Sequence, residues 1–317
     1  MQKIKVFCPI KFTYFKKALA NVAEVRCETI TTEKQYIKSM NDVNILIPMP
    51  HSKLRVTEAI IDAGRNLKMI QTMGAGYDHI DVEAATKRGI IVCNTGGVNA
   101  ESVSELALAL MLNLARHVSF ADHIIKKGGF QRPPLPDMLL WGKTLGVIGL
   151  GNIGARTSIK ARLAFNMKIL AYDPNITPDR AELVGAELVG LEILLRDSDV
   201  ITIHCSLNEE TRGLIGENEL ALMKPTALLV NTARGGIIDE KALVKCLEKG
   251  CIGGVGLDVY EEEPLSTESP LRKFENAVLT PIIGTSKEVP LAQAVADNIK
   301  RFVNGKKPFW IINAIAS

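Results

Sequence analysis

Three glycines stand at the spacing that lets a polypeptide backbone approach a phosphate. The run Leu145-Gly146-Val147-Ile148-Gly149-Leu150-Gly151-Asn152-Ile153-Gly154 closes a short apolar segment with G-x-G-x-x-G and continues into a helical pattern. Gly149 permits the tight turn, Gly151 removes a side chain that would hold a pyrophosphate away, and Gly154 lets the helix lie close to the strand. The helix start at Asn152 and Ile153 presents free N–H groups and the positive end of its dipole. Taken alone the pattern is weak, because ordinary loops produce it as well. Here a strand precedes it, a helix follows it, and a second strand ends at Asp173, about 20 residues on. A carboxylate at Asp173 accepts hydrogen bonds from ribose hydroxyls and repels a 2′-phosphate. The following Pro174-Asn175-Ile176 supplies no compensating base, so the pattern points to NAD rather than NADP. The competing reading is a structural βαβ turn that holds no ligand.

Such a turn needs a sheet behind it. Short β-rich runs at 3–8, 44–48, 69–72 and 90–93 alternate with helical patterns such as 56–63 and 82–88. A single long helix is expected from Ala100 to about Lys127, with Asn99 as its N-cap. Gly128-Gly129 and the segment Arg132-Pro133-Pro134-Leu135-Pro136 then break the chain. A second series has strands at 145–148, 168–172, 200–204, 227–231, 254–259 and 277–280, each a short apolar run of the kind buried on both faces. An amphipathic helix over 290–303 closes the sequence. The expected fold class is α/β, with two doubly wound, parallel-sheet, Rossmann-like domains.

Composition narrows the function classes. The 317 residues exceed one ordinary core and fit two domains. Lys+Arg 38 against Asp+Glu 35 leaves a net charge of +3 without a basic block, which argues against a nucleic-acid groove or a membrane-surface patch. Aromatic residues, at 5%, are too few for base-stacking platforms. The six cysteines form no C-x-x-C pair and read as free thiols rather than disulfides or a zinc site, so no metal is expected. The N-terminus lacks a signal-like apolar region, and no apolar stretch reaches the length of a bilayer span. The expected location is cytoplasmic.

Several motifs are similar to those of the NAD-dependent D-isomer-specific 2-hydroxyacid dehydrogenases, the group that includes phosphoglycerate dehydrogenase. They are the block from Gly142 to Gly151, Asn231-Thr232-Ala233-Arg234-Gly235-Gly236 with Ile238-Asp239-Glu240, and Gly256-Leu257-Asp258-Val259-Tyr260-Glu261-Glu262-Glu263-Pro264. Gly74-Ala75-Gly76-Tyr77-Asp78-His79-Ile80-Asp81 and the run from Asn99 to Glu105 are similar to the family's N-terminal loop and hinge helix. The resemblance covers nearly the whole chain. It implies a substrate domain built from residues 1–98 and 287–317, an NAD-binding domain over 99–286, and an active site between them. It also implies cofactor contacts from His204, Cys205, Thr232, Ala233 and Asp258 beside the glycine loop, a homodimer formed through the nucleotide domain, and a small 2-hydroxy or 2-keto acid as substrate.

The family's catalytic set is an Arg that holds the substrate carboxylate, a His acid/base and a Glu that orients the His. Arg234 matches the first, and its planar fork suits a carboxylate. Glu263 matches the last, against the plainer reading of a solvated acid in a run of three. Backbone N–H groups of Gly74, Ala75 and Gly76 would complete the carboxylate cradle. The His is missing: where the family reads Thr-Pro-His-Ile-Gly, this chain reads Thr280-Pro281-Ile282-Ile283-Gly284. General acid–base help is worth roughly 10²–10⁴ in rate, so the loss matters. His51, at the end of a substrate-domain strand, is a candidate replacement, though a solvated loop residue is the favoured reading. His79 reads as a helix-entry residue, and His117 and His123 as surface or dimer-contact residues. Phosphoglycerate-specific relatives carry an Arg-Ser pair where this chain has Pro48-Met49-Pro50, which favours a small or apolar substrate side chain. Two functions therefore stand side by side: an oxidoreductase with atypical proton chemistry, and a catalytically impaired NAD(H)-binding or sensing protein on the same fold.

Overall fold

The computed structural model describes residues 3–48 and 54–314. Met49, Pro50 and His51, and with them the proposed substitute base, lie outside the described residues. The chain divides into two compact units, Met1–Asn99 with Lys287–Ser317 and Ala100–Ser286. Each is a parallel sheet covered by helices, which fixes the fold class as α/β with two doubly wound sheets. No described helix is long and apolar enough to cross a membrane.

In the first unit, strands β1 (Ile4–Cys8), β2 (Ala23–Cys27), β3 (Ile45–Leu46), β4 (Met69–Gln71) and β5 (Ile91–Cys93) take the spatial order β2-β1-β3-β4-β5. Val6, Ile45 and Met69 are fully buried. The closing helix, Leu291–Val303, adds Val295, Ala296 and Ile299 to the same core. A buried polar knot fixes its seat. Asn298 Nδ2 donates to Gln71 Oε1 (2.6 Å) and to the Phe309 carbonyl (3.0 Å), and the Phe309 N–H donates to Asn298 Oδ1 (2.7 Å). Gln71 Nε2 in turn donates to the Thr72 and Asn94 carbonyls, each at 2.9 Å.

The second unit carries β6 (Thr144–Ile148), β7 (Lys168–Tyr172), β8 (Ala186–Leu188), β9 (Val200–Ile203), β10 (Leu228–Asn231), β11 (Gly254–Leu257) and β12 (Ala277–Leu279). Their order is β12-β11-β10-β9-β6-β7-β8. The chain winds outward from β6 in one direction and then from β9 in the other. Ligands of open α/β sheets bind beyond the strand ends at this reversal.

The long helix expected from Ala100 to about Lys127 is two helices, Ala100–Arg116 and Val118–Lys126. His117 interrupts them in the left-handed region at φ 51, with its Nε2 2.9 Å from the Pro136 carbonyl. Asn113 Oδ1 accepts from the Ser119 N–H (2.8 Å), an alternative to the helical ladder. His117, expected as a surface or dimer-contact residue, is buried within the fold, whereas His123 is exposed. The first helix buries Val103, Ala107, Leu110, Met111 and Leu114 at helical spacing. The second buries nothing and leaves Val118 and Ile125 exposed, as are Phe130, Leu139 and Trp141 further on.

The Asn298 knot gives the first unit a testable seam. Asn298→Ala strands the Gln71 Oε1 and the Phe309 N–H in the core, and the expected loss of stability is about 2–4 kcal/mol. Denaturant unfolding followed by tryptophan fluorescence measures it, Trp310 being close to the knot in sequence.

Candidate active site

At the end of β6 the backbone of Gly149 takes φ 90, a conformation that side chains disfavour, and its N–H donates to the Tyr172 carbonyl (2.9 Å). A Cβ on Gly149 would run into the His204–Cys205 backbone, and one on Gly154 would run into the Gly149 carbonyl. At Gly151 the same atom would meet nothing, so the middle glycine faces open space at the head of the helix Asn152–Phe165. Asn152 and Ile153 form the first turn of that helix, where N–H groups have no intrahelical acceptor. The Asp173 carboxylate accepts from the Leu150 N–H (2.8 Å) and the Asn175 N–H (2.9 Å). It thereby clamps the glycine loop to the end of β7, and each oxygen retains a lone pair for a ribose hydroxyl.

Two polar atoms here lack a partner. His204 shares a 3.0 Å hydrogen bond with Thr202 Oγ1 through Nε2, but its Nδ1 is buried without one. Burial pulls the imidazole down to about 3, so the ring is neutral at ordinary pH. Thr232 Oγ1 is likewise buried and unsatisfied. Cys205 is pushed up to about 11 by burial and stays a thiol. A glycine loop open at Gly151 with orphaned polar atoms nearby in the fold fits a dinucleotide.

Three loops beyond β10, β11 and β12 knit together. Asn231 Oδ1 accepts from the Ala233 N–H (3.0 Å) and its Nδ2 donates to the Arg234 carbonyl (2.8 Å), which fixes the turn that carries Arg234. Arg234 Nη1 donates to the Ala233 carbonyl (2.8 Å). Gly235 lies against the Tyr260–Glu261 peptide so closely that a Cβ would overlap it. The Arg234 turn and the segment that holds Glu263 are therefore adjacent. Glu263 Oε1 accepts from the Tyr260 N–H (3.2 Å), and Glu240 Oε2 from the Glu261 N–H (2.9 Å). Burial raises the Glu240 carboxyl above its ordinary range.

The sequence reading places Asp258 among the cofactor residues. In the structure its carboxylate serves the neighbouring loop. Oδ1 accepts from Thr280 Oγ1 (2.7 Å) and the Ile283 N–H (2.8 Å), and Oδ2 from the Gly284 N–H (2.9 Å). Burial raises its pKa, and these donors oppose the rise. The Ile282 N–H donates to the Asp258 carbonyl (3.1 Å). Ile282 itself sits at φ 56 and is 37% exposed. Asn231 and Thr280 emerge as positioning residues that the sequence reading did not single out. Each is a polar residue that follows an apolar strand run.

In the first unit Gly74 takes φ 138, and its N–H donates to Thr95 Oγ1 (3.0 Å). The Gly74 N–H, one of the three expected to form a carboxylate cradle, is thus engaged within its own unit. The Ala75 carbonyl is held by Asn94 Nδ2 (2.8 Å) and that of Gly76 by Thr72 Oγ1 (3.3 Å). His79 is buried and its carbonyl accepts from the Val56 N–H (2.7 Å) just before the helix Val82–Lys87.

A β-branched side chain in the left-handed region is strained by roughly 1–2 kcal/mol. Asparagine tolerates that region, so Ile282→Asn should raise stability by about 1 kcal/mol. Thermal or denaturant unfolding of the two proteins side by side checks this.

The family model described as D-isomer specific 2-hydroxyacid dehydrogenase, NAD binding domain, matches residues 108–284. A D-3-phosphoglycerate dehydrogenase of Synechocystis is 43% identical over 90% of this chain, and the chain spans about half, 52%, of that relative's length. A glyoxylate reductase of Thermococcus litoralis is 40% identical over 87% of this chain and 86% of its own. Among solved structures, a glyoxylate reductase from Paecilomyes thermophila superposes with a TM-score of 0.90 at 31% identity, over 98% of this chain and 99% of that one. The matched domain takes NAD as its cofactor. With the glycine loop, the Arg234 turn and the Glu263 segment in place, the chain belongs to the D-isomer specific 2-hydroxyacid dehydrogenase family.

Proposed function

We propose that the protein is an NAD-dependent oxidoreductase that transfers hydride between NAD(H) and a small 2-hydroxy or 2-keto acid, with proton chemistry altered by Ile282. The observation that carries this reading is the close approach of the turn that carries Arg234 to the segment that carries Glu263, on loops beyond β10 and β11, the same sheet edge as the glycine loop. The nicotinamide supplies or accepts the hydride when bound. Gly149, Gly151, Asn152, Ile153 and Gly154 hold its pyrophosphate, Asp173 its ribose, and His204, Cys205, Thr232 and Ala233 line it. Arg234 holds the substrate carboxylate by charge and a planar pair of donors. Residues 1–98 and 287–317 act as the substrate domain. Glu263 is the charged neighbour that the family pairs with a His, and here the residue at 282 carries no proton. NADH oxidation against a panel of 2-keto acids tests the reading. NADH binding with no turnover would favour the alternative, an NAD(H)-binding or sensing protein.

Asp173 determines cofactor choice in this reading. NADPH should bind at least about tenfold more weakly than NADH, because its 2′-phosphate meets a carboxylate. Asp173→Ala should narrow the gap, and fluorescence titration with both cofactors reads it.

The exposed apolar residues Val118, Ile125, Phe130, Leu139 and Trp141 support a homodimer through the second unit. Sedimentation should give twice the 34.6 kDa chain mass. The free thiols of Cys8, Cys27, Cys93, Cys205, Cys246 and Cys251 suit a reducing compartment such as the cytoplasm.

A further inference from the structure

We propose that Cys246 and Cys251 form an oxidisable dithiol, a modification site at which hydrogen peroxide converts the two thiols into a reversible disulfide. The pair sits just before the start of β11, at the sheet edge opposite to the glycine loop, and needs no bound cofactor.

The way the helix Glu240–Lys249 ends brings the two residues together. Gly250 takes φ 67, a left-handed turn that glycine adopts without strain. Its N–H donates to the Leu247 carbonyl (3.2 Å), and the Cys251 N–H donates to the Cys246 carbonyl (2.9 Å). This pair of bonds is the Schellman ending, which folds the residue after the glycine back onto the last full turn of the helix. Standard bond lengths on either side of the 2.9 Å hydrogen bond hold the two α-carbons within about 7 Å. The bends at the carbonyl and the amide shorten that further, into the span of roughly 4.4–6.8 Å that a disulfide bridges. The thiols also feel one another. Burial, and after it the Cys251 side chain, pushes the Cys246 thiol up to about 12.

Exposure sets the order of reaction. Cys246 is 5% exposed and belongs to the core of the second unit, whereas Cys251 is half-buried at the margin of that core. Cys251 therefore meets the oxidant. Its thiolate attacks one peroxide oxygen, the O–O bond breaks, and the departing hydroxide takes up the thiol's proton as water. Cys251 is then a sulfenic acid. The Cys246 sulfur attacks the Cys251 sulfur, the S–O bond breaks, and the second hydroxide leaves with the Cys246 proton. The two sulfurs have lost two electrons, one peroxide has gained them, and two waters have formed. Closure by the buried thiol stops Cys251 short of the irreversible sulfinic acid. A second pair of neighbours, Cys8 and Cys27, lie opposite each other on β1 and β2, but there Cys27 Sγ donates to the Phe12 carbonyl (3.2 Å). They serve as the comparison within the same molecule.

The test treats the whole chain with hydrogen peroxide, removes the excess with catalase, caps the remaining thiols with iodoacetamide and maps the tryptic peptides by mass spectrometry. Trypsin cuts after Lys245, Lys249 and Arg272, so the disulfide joins the fragment 246–249 to the fragment 250–272. The expected first product is that joined species, in a chain that stays monomeric on a non-reducing gel, with two of the six thiols lost and both regained on adding dithiothreitol. In Cys246→Ala the same dose should leave at least roughly tenfold more sulfinic acid at Cys251, because the resolving thiol is gone. The two fragments recovered apart, with Cys251 capped or carrying a sulfinic acid, overturn the proposal. So do a covalent dimer through Cys251 and oxidation of Cys8 and Cys27 ahead of this pair. The wild-type peptide map decides the matter even if the variant does not fold.

Discussion

The Asp258 carboxylate organises the chemistry of the second unit. It is buried, yet its two oxygens take three donors from the loop after β12, and its main-chain carbonyl takes a fourth from Ile282. A buried carboxylate is costly without such partners, so the loop and the acid stabilise one another. The loop's course is therefore set by its backbone and by Thr280, not by the side chain at 282. This explains how an isoleucine can occupy a left-handed position without collapse of the site around it.

A similar economy holds on the neighbouring strands. Asn231 turns the chain after β10 by bonding its own loop, and Gly235 lets that turn rest on the Tyr260–Glu261 peptide. Asp173 does the equivalent work for the glycine loop through the Leu150 N–H. In each case a short polar side chain at a strand end receives or supplies main-chain hydrogen bonds. The turns that carry Arg234 and Glu263 are thus held by neighbouring polar groups and main chain.

Much of this was legible in the sequence, and the gaps have physical causes. The central strands read clearly because they are buried on both faces. The edge strands β2 and β8 did not, since Glu24, Arg26 and Glu187 interrupt their apolar runs. Several expected strands ran one or two residues too far, as at His204, Val259 and Thr280, because an apolar run does not mark where pairing stops. The break at His117 was invisible because the apolar period continues across it, while the bonds that cause it run from side chains to the main chain. The glycine motif, Arg234 and Glu263 were readable by spacing and resemblance. The occupation of Asp258 and of the Gly74 N–H was not, because it depends on partners 20 or more residues away.

The seat of the closing helix also has a consequence for biosynthesis. Asn298 bonds Gln71 across 227 positions, and Asn313 supplies the acceptor for the Val92 N–H across 221. The first unit thus lacks part of its core until residues 291–313 have been synthesised, whereas the second unit, Ala100–Ser286, has all its strands before then. The order of folding is then the reverse of the order of synthesis for these two units. The earlier-made sheet must wait, with its β1, β3 and β4 face uncovered, for the helix Leu291–Val303. That interval is when it is most open to chaperones and to mispairing with another nascent chain.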